Sequence, residues 1–323
     1  MRPVILLTGG SGQVGGELLP LLSQLGEVVA PDHSQLDLSK PAGVRQTIRE
    51  VRPQLIINAA AYTAVDRAET DEATAQMVNA EAPEVMAVEA KKIGAVLLHF
   101  STDYIFDGTK RTPYDETDSA NPINVYGKTK FAGEQAIRAS GVSHLIFRTA
   151  WVYATRGKNF LLTILRLATD RDELRVVSDQ VGSPTCASEL AAATCEILTR
   201  MNDRNRGPFA FSEVSGTYHV SAAGQTTWYD FAKAIREEAL STPHPRKWLA
   251  DATKGRQWIA DRVTPISTEE FHSPTPRPAY SVLSNSLLMQ KFGVSLPDWR
   301  LQLKRCFFSD SSAANLAVKA GAG

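Results

Sequence analysis

The stretch that decides the fold is VILLTGGSGQVGGE, residues 4–17. Its first five residues form a short apolar run, which predicts a buried strand. From residue 14 to residue 25 the apolar side chains recur with helical spacing, which predicts a helix directly after the glycines. A strand that turns through glycines into a helix is the opening unit of a nucleotide-binding α/β fold.

The glycines fit two spacings of that unit. Gly10, Gly12 and Gly15 match G-x-G-x-x-G, and Gly9, Gly12 and Gly15 match G-x-x-G-x-x-G. Such a turn lets the backbone approach a pyrophosphate at the helix N-terminus, so the stretch predicts dinucleotide binding. A glycine turn that binds nothing is the open alternative. No lysine followed by serine or threonine closes the loop, which argues against a nucleoside-triphosphate P-loop.

Beyond this stretch, the first half of the chain alternates short apolar runs with longer helical patterns. Near-continuous apolar strands separated by helices indicate a parallel sheet covered on both faces. The predicted fold is therefore α/β, a doubly wound parallel sheet of the Rossmann type. Its strands are residues 4–8, 27–30, 55–60, 95–102 and 144–150, and its helices include residues 14–25, 41–51, 72–92 and 125–139.

The domain boundaries follow from where this alternation loosens. We expect residues 1–152 to form an NAD(P)-binding Rossmann domain that carries the catalytic residues. Residues 153–308 are expected to form a smaller mixed region that completes the sheet and builds the substrate site. Within it, residues 241–281 are polar and dotted with proline, which favours loops. Residues 309–323 are small and polar, and are predicted to be a flexible tail.

Composition excludes several classes of partner. The chain has 323 residues, of which 43% are hydrophobic, and its 35 basic residues balance 35 acidic ones. Such a chain can bury a large core, and it offers no basic field for nucleic acid and no polybasic run for a membrane. Three scattered cysteines lack metal-ligand spacing and are interpreted as packing residues in a reducing compartment. No run has the length of a signal peptide or a membrane span, so a cytoplasmic protein is expected.

Asp32 bears on the choice of cofactor. It ends the second predicted strand, where a carboxylate could accept hydrogen bonds from a ribose 2′-hydroxyl and repel a 2′-phosphate. This position favours NADH. His33 and Ser34 follow at once and could donate to a phosphate if Asp32 turns away. The choice between NADH and NADPH therefore stays open, and Asp32 as a plain turn residue is a further alternative.

A second motif, NVYGKTKFAGE at residues 124–134, places Tyr126 four positions before Lys130. In a helix, these two side chains lie on one face. A nearby cation lowers the pKa of a phenol, so the pair could serve as an acid/base couple. An ordinary surface helix with a packed tyrosine and solvated lysines has the same spacing.

Together these motifs resemble a known family. The glycine turn, NAAAYT at residues 58–63, STDYIFDG at residues 101–108 and the tyrosine–lysine pair are similar to those of the extended short-chain dehydrogenase/reductases. Within them, the chain resembles the dTDP-4-dehydrorhamnose reductases over nearly its whole length. Further matching motifs are ETDSANPINVYGKTKFAGE, FRTAWVYA, NF at residues 159–160, DQVGSPT at residues 179–185 and, more loosely, RPAYSVL at residues 277–283.

The resemblance implies a reaction and roles for three residues. A reduced nicotinamide, NADPH or NADH, would give a hydride to the C4 ketone of a dTDP-6-deoxy-4-keto sugar. Tyr126 would supply the proton, and Lys130 would lower the pKa of that phenol and bond the nicotinamide ribose. Thr102, at the end of the fourth strand, would donate a hydrogen bond to the same carbonyl oxygen. Without the family, Thr102 is equally well explained as a turn-forming hydroxyl.

The resemblance also implies binding residues, each of which has a structural alternative. An indole can cover the apolar face of a deoxysugar, and a guanidinium suits the diphosphate of a sugar nucleotide. The cofactor residues implied are Gly9, Gly12, Gln13, Val14, Gly15, Asp32, Asp37, Leu38, Ala61, Tyr62, Thr63 and Lys130. The substrate residues implied are Thr102, Asp103, Tyr126, Trp151 and Arg277.

The chain departs from the family in three places. Residues 241–262 are longer than expected, and RPAYSVL has Tyr280 and Val282 where the family more often has asparagine and arginine. Some relatives bind magnesium through glutamates at a dimer contact. Glu17 and Glu189 could serve here, but Arg300 stands where another acid is expected. No metal is therefore predicted, and the resemblance is compatible with a homodimer.

Two other functions share these features. A nucleotide-sugar 4-epimerase or 4,6-dehydratase has the same fold and tyrosine–lysine pair, but a dehydratase usually carries Asp-Glu after the threonine. Here Asp103 is followed by Tyr104. A non-catalytic NADP-binding subunit is the other alternative, because the regulatory subunit of methionine adenosyltransferase resembles the same reductases. The intact Thr102, Tyr126 and Lys130 favour catalysis.

Overall fold

The structure, a computed structural model, describes residues 2–202, 209–242 and 246–308. The strands are β1 Val4–Thr8, β2 Glu27–Val29, β3 Leu55–Asn58, β4 Val96–Thr102, β5 His144–Thr149, β6 Val152–Tyr153, β7 Glu173–Val177, β8 Val181–Gly182, β9 Thr185–Cys186, β10 Gly216–His219, β11 Thr226–Thr227 and β12 Arg262–Ile266. The helices are α1 Gln13–Leu22, α2 Pro41–Val51, α3 Val65–Ala68, α4 Glu72–Gln76, α5 Ala82–Ile93, α6 Val125–Ser140, α7 Phe160–Leu167, α8 Ala187–Met201, α9 Trp228–Ser241, α10 Lys247–Thr253, α11 Thr268–Phe271, α12 Ser286–Phe292 and α13 Trp299–Phe308. A π-helical turn, Met77–Glu81, joins α4 to α5, and a 3₁₀ turn, Asp103–Ile105, follows β4.

The centre of the molecule is a parallel sheet of six strands in the order β10-β5-β4-β3-β1-β2. The order reverses beside β1, because β2 lies on one side of it and β3 on the other. Strands β3 and β5 are buried along their whole length, as expected for a sheet covered on both faces. The predicted doubly wound α/β fold is confirmed.

Alternating side chains of β1 divide the core into two layers. Ile5 and Leu7 point into one layer, which they share with α1 and α8, whereas Leu6 points into the other layer, with α2 and α5. This period of two is what a strand with two covered faces requires. Both layers exclude water from the sheet, so the ends of the strands are where a ligand can reach polar groups.

The predicted helix over residues 72–92 is interrupted. The structure has α4, the π-helical turn and α5 in its place. Pro83 stands at the start of α5 and has no N–H to give to the carbonyl of Asn79, so the regular hydrogen-bond ladder cannot continue there. The Asn79 carbonyl instead lies against Gly133 of α6, where an added Cβ would stand 2.2 Å away.

The second half of the chain adds to both the sheet and a separate core. Strand β10 pairs in parallel with β5 and extends the sheet. Helices α7, α9 and α13 enclose a third apolar cluster, which also takes in the pair β7–β12. Residues 241–262 contain α10, and its Leu249 is buried in this cluster. The predicted tail, residues 309–323, lies outside the described residues.

The cysteines pack into these cores, as predicted. Cys195 contacts the layer formed with α8, while Cys186 and Cys306 belong to the third cluster. The Sγ atoms of Cys186 and Cys306 are 3.2 Å apart, and all three thiols are free. Over the described residues, no helix combines the length and apolarity needed to cross a membrane.

Candidate active site

The glycine turn after β1 is built from close backbone contacts. Gly9 has a φ of +75°, which favours glycine, and its carbonyl accepts a hydrogen bond of 2.9 Å from the Gly12 N–H. A Cβ at Gly15 would stand 2.1 Å from the Gly9 carbonyl oxygen. Gly12 is the N-cap of α1 and has no capping side chain. The first N–H groups of α1 are therefore presented without a side chain in front of them, as a pyrophosphate site requires.

A cleft of ≈ 420 Å³ opens beside this turn. Its volume lies in the range of small-molecule and cofactor sites. Six of the residues predicted to hold the cofactor line it: Gly9, Asp32, Asp37, Leu38, Ala61 and Tyr62. Gly12, Gln13, Val14 and Gly15 form the turn and the start of α1, and Thr63 is exposed just after Tyr62. The glycine cradle and the size of the cleft both fit a dinucleotide.

Two carboxylates at the far side of the cleft fold back on their own loops. Asp32 Oδ1 accepts hydrogen bonds from the Ser34 hydroxyl, at 2.6 Å, and from the Ser34 N–H, at 2.8 Å. The Ser34 hydroxyl holds the pKa of Asp32 below its ordinary value, and Ser39 does the same for Asp37. Both groups are therefore anions at neutral pH, and Ser34 is engaged with Asp32.

Asn79 supports the cleft through contacts that the sequence did not reveal. Its side chain accepts from the Tyr62 N–H at 2.9 Å and donates to the Tyr62 carbonyl at 3.1 Å. It also donates to the Thr129 hydroxyl of α6 at 3.2 Å. One buried amide thus fixes the wall of the cleft and ties it to the helix that carries Tyr126. Its contacts are 17 and 50 residues away in the chain, and no local pattern signals them.

The start of α6 is positioned by its neighbours. The Asn124 side chain caps the helix by accepting from the Gly127 N–H at 2.8 Å and donates to the Pro276 carbonyl at 3.0 Å. A Cβ at Gly127 would stand 2.2 Å from the Tyr104 carbonyl oxygen, so only glycine lets α6 approach the 3₁₀ turn this closely. Tyr126 then packs edge-on against Tyr104, with ring centroids 5.5 Å apart.

Thr102 and Tyr126 meet at the carboxyl end of β4. Burial raises the pKa of Tyr126 to about 12, and the Thr102 hydroxyl, which lies close enough to lower that pKa, has the smaller effect. The expectation that Lys130 lowers this pKa does not hold in the structure, because burial, which raises the pKa, has the largest effect and Lys130 is not among the groups that shift it. Tyr126 is consequently a protonated phenol near neutrality, which is the state that a proton donor must start from.

Asp103 lies beside this pair with an unsatisfied oxygen. The residue is 2% exposed, and its Oδ2 has no hydrogen-bond partner. Its Oδ1 accepts from the Thr102 hydroxyl at 3.2 Å. Burial raises the pKa of Asp103 to about 6, even though the Ser281 hydroxyl counteracts it. A buried acceptor without a donor is uncommon, and a ligand hydroxyl would satisfy it.

Lys130 is turned towards β4. It is 1% exposed, and its Nζ donates to the Phe100 carbonyl at 2.6 Å and contacts His99 Nε2 at 3.1 Å. Burial lowers the pKa of Lys130 to about 8, despite the opposing charge of Glu134. The predicted spacing thus places Tyr126 and Lys130 four residues apart on α6, where Lys130 is buried and Tyr126 is half-buried.

A buried ion pair supports the floor of the site. The Glu134 carboxylate accepts from both ends of the Arg148 guanidinium, at 3.0 and 2.7 Å, and from the Ser101 hydroxyl at 2.6 Å. Burial alone would raise the pKa of Glu134, but Arg148 outweighs it and the pKa is lowered. These bonds join α6 to β4 and β5, directly below Thr102 and Lys130.

Trp151 is held in an unusual backbone conformation. Its φ is +48°, in the left-handed region that a tryptophan rarely adopts. Its ring stacks on Trp228 at a centroid distance of 3.5 Å and also lies against Gly182, where an added Cβ would stand 2.3 Å from the indole. Trp228 was not singled out from the sequence, because an aromatic residue at the start of a helix looks like ordinary core.

Arg277 is paired rather than solvated. Its guanidinium donates to both carboxylate oxygens of Asp66, at 2.9 and 3.0 Å, and its buried Nε has no partner. A Cβ added at Gly108 would collide with the backbone of Pro278, so the loop that carries Arg277 packs closely against the STDYIFDG segment. Arg277 is therefore held in an ion pair close to Tyr104, which packs against Tyr126.

The acids considered for magnesium have arginine partners. Glu17 accepts from Arg156 at 2.7 Å and Glu189 accepts from Arg305 at 2.9 Å. Arg300 pairs with Glu237. Within residues 2–202, 209–242 and 246–308, no group of three His, Cys, Asp or Glu side chains is arranged to hold a metal ion.

Comparisons with known proteins found relatives that match nearly the whole chain. The family model described as the RmlD substrate binding domain matches residues 1–311. A dTDP-4-dehydrorhamnose reductase of Burkholderia thailandensis is 45% identical over 304 residues, which are 94% of this chain and 97% of that protein. The enzyme of the same name from Escherichia coli K12 is 43% identical and covers 93% of this chain and 96% of its own length. A solved dTDP-4-dehydrorhamnose reductase of Bacillus anthracis in complex with NADP superposes with a TM-score of 0.83 at 34% identity, covering 96% of this chain and all of that one.

Proposed function

This chain belongs to the dTDP-4-dehydrorhamnose reductase family, and from that premise we propose that Thr102, Tyr126 and Lys130 carry out its reaction. The reaction is the NAD(P)H-dependent reduction of the C4 ketone of dTDP-4-dehydro-L-rhamnose to dTDP-L-rhamnose. The observation that carries the proposal is that two buried side chains, Thr102 and Lys130, and the half-buried Tyr126 converge on the end of β4, in a protein that has a cleft of dinucleotide size.

The chemistry requires a proton donor at the carbonyl oxygen. When bound, the reduced nicotinamide supplies a hydride to the sugar C4, and the oxygen gains negative charge. Tyr126 gives its phenolic proton to that oxygen, and the Thr102 hydroxyl donates a hydrogen bond to it. The burial that raises the pKa of Tyr126 keeps the phenol protonated before the step. Lys130, four residues further along α6, is proposed to favour the phenolate that forms through the positive charge of its ammonium form.

Three further residues are proposed to hold the sugar nucleotide. The unpaired Oδ2 of Asp103 accepts a hydrogen bond from a sugar hydroxyl, so that this buried acceptor gains the donor it lacks. The indole of Trp151 covers the apolar face of the deoxysugar from its stack on Trp228. Arg277 exchanges its bonds to Asp66 for the diphosphate, whose oxygens suit a guanidinium fork.

We extend the proposal to the residues that bind the cofactor, to the cellular location of the enzyme and to its oligomeric state. Gly9 and Gly15 let the pyrophosphate approach α1, while Asp32 and Asp37 lie along the cleft. The relatives are biosynthetic enzymes of nucleotide sugars, which supports a cytoplasmic location. A homodimer, which the family resemblance allows, is tested by light scattering on the purified protein.

The proposed function is tested with purified protein, NADPH or NADH, and dTDP-4-dehydro-L-rhamnose made in situ. Loss of reduced nicotinamide with dTDP-L-rhamnose as product is expected, and the faster cofactor reveals the preference. An epimerase or dehydratase would instead be purified with tightly held NAD, visible in its absorbance spectrum. Cofactor binding without any oxidation would replace the proposal with a non-catalytic binding subunit.

A further inference from the structure

A chain of buried hydrogen bonds runs from Lys130 to the dinucleotide cleft. Lys130 Nζ contacts His99 Nε2 at 3.1 Å, and His99 Nδ1 contacts the Asn58 amide nitrogen at 3.1 Å. The Asn58 amide oxygen accepts from the Thr8 hydroxyl at 2.7 Å, and Thr8 lines the cleft. All four side chains are at most 2% exposed, so they find their partners in one another.

The direction of these bonds can be assigned from one backbone group. The Ala60 N–H lies 3.3 Å from an Asn58 side-chain atom and can only donate, so that atom is the amide oxygen. The amide nitrogen of Asn58 therefore faces His99 Nδ1. Because an amide nitrogen only donates, Nδ1 must be the unprotonated nitrogen of the imidazole. A neutral His99 then carries its proton on Nε2, pointing at Lys130.

This orientation opposes a charged lysine. An ammonium has three donors and no acceptor, so the Nε2–H of His99 would face a second donor. The neutral amine of Lys130 has a lone pair that can accept from Nε2–H while still donating to the Phe100 carbonyl. A charged Lys130 avoids this conflict only if His99 is protonated on Nδ1 and the Asn58 amide is flipped. The flipped amide would then place its NH₂ group against the Ala60 N–H, so that two donors would face each other.

We propose that His99 is a positioning residue for Lys130. Asn58 fixes His99 as the tautomer that is protonated on Nε2, and this N–H group weakens the hold of Lys130 on its third proton. The tautomer and its effect on Lys130 rest on this chain's own contacts. Their consequence for turnover rests on the proposed reductase function. A lysine that releases a proton readily can return one to Tyr126 during the catalytic cycle, which a lysine with an ordinary ammonium does poorly.

The charged groups around the pair agree with this assignment. Burial and the adjacent Lys130 hold the pKa of His99 well below its ordinary value, so the ring is neutral. Glu134, one turn along α6 from Lys130, favours the ammonium but is itself neutralised by Arg148 of β5. Asp103 faces Tyr126 from the 3₁₀ turn. Burial outweighs these charges and brings the pKa of Lys130 to about 8.

The tautomer can be read without substrate or cofactor. In protein labelled with ¹⁵N-histidine, a protonated ring nitrogen and an unprotonated one have well-separated chemical shifts. We expect His99, assigned by the loss of its signals in His99→Gln, to show an unprotonated Nδ1 and a protonated Nε2 at neutral pH. A protonated Nδ1 would overturn the proposal. Asn58→Asp, which replaces the donor by an acceptor of the same shape, is expected to reverse the tautomer in a variant whose melting curve shows that it folds.

A second readout tests the effect on Lys130. The ¹³Cε signal of Lys130, assigned with Lys130→Met, reports its titration in the cofactor-free protein. His99→Gln can turn an amide oxygen towards the ammonium, so we expect the titration midpoint to rise by about one pH unit, a tenfold tighter hold on the proton. The basic limb of kcat/KM should move upward by the same amount. A midpoint equal to that of the parent would refute the proposal. If the parent shows the expected tautomer and titration but reduces no dTDP-4-keto sugar, the proposed function fails while the His99 assignment stands.

Discussion

Replacing Tyr126 by phenylalanine removes one oxygen atom from the site. If that oxygen supplies the proton, turnover should fall by about 10²–10⁴-fold, the usual contribution of a general acid. This corresponds to roughly 3–5 kcal/mol of lost transition-state stabilisation. Stability should change far less. The Thr102 hydroxyl loses a neighbouring hydroxyl but keeps Asp103 Oδ1, at 3.2 Å, and the Tyr104 N–H, also at 3.2 Å, so a cost of about 0.5–1.5 kcal/mol is expected.

The assay compares kcat for NADPH oxidation, the dissociation constant of NADPH and the urea-unfolding midpoint. Tyr218→Phe is a matched control, because its hydroxyl is also buried and donates to the Val214 carbonyl at 2.8 Å, away from the site. The control should show a similar loss of stability with unchanged kcat. If Tyr126→Phe retains kcat to within about tenfold of the parent, or loses turnover only because it no longer binds NADPH, the assignment of the proton donor is wrong.

Three further substitutions are expected to distinguish residues that stabilise the fold from residues that bind the cofactor or the substrate. Glu134→Ala removes a carboxylate that is 0% exposed and leaves the buried Arg148 guanidinium without its partner. The substitution should therefore lower the free energy of unfolding by about 3–5 kcal/mol, measured in urea titrations. Gly15→Ala puts a methyl group 2.1 Å from the Gly9 carbonyl and should abolish NADPH binding by fluorescence, whereas Gly43→Ala, with nothing within 4 Å, should bind normally. Because the pKa of Asp103 is raised to about 6 in the folded protein, its protonation stabilises the fold at low pH and this stabilisation is lost as the pH rises through 6. Asp103→Asn should thus gain stability relative to the parent between pH 4 and pH 8, and a constant difference would contradict the buried carboxyl.

The local patterns predicted the framework well. The glycine turn, the apolar strands and the spacing of Tyr126 and Lys130 depend on neighbours within a few residues, which the sequence displays directly. The helix over residues 72–92 was predicted as continuous from its helical pattern, whereas in the structure Pro83 interrupts the hydrogen-bond ladder and the Asn79 carbonyl packs against α6.

What the sequence did not reveal depends on long-range contacts. His99 lies within an apolar strand and looks like a core residue, and only its approach to Lys130 and Asn58 gives it a role. Arg277 was weighed between solvent and a diphosphate, yet the structure gives it Asp66, 211 residues away. The pKa of Tyr126 was expected to fall because a cation is near in sequence. Burial, which depends on the whole fold, raises it instead.

The most direct test of the account follows the hydride. NADPH carrying deuterium on the transferable position of its nicotinamide ring is mixed with the protein and dTDP-4-dehydro-L-rhamnose, and the product is analysed by NMR and mass spectrometry. The account predicts one equivalent of dTDP-L-rhamnose with deuterium at the sugar C4 for each NADPH consumed. A sugar product without deuterium at C4, or one formed with no net consumption of NADPH, would contradict reduction at that carbon.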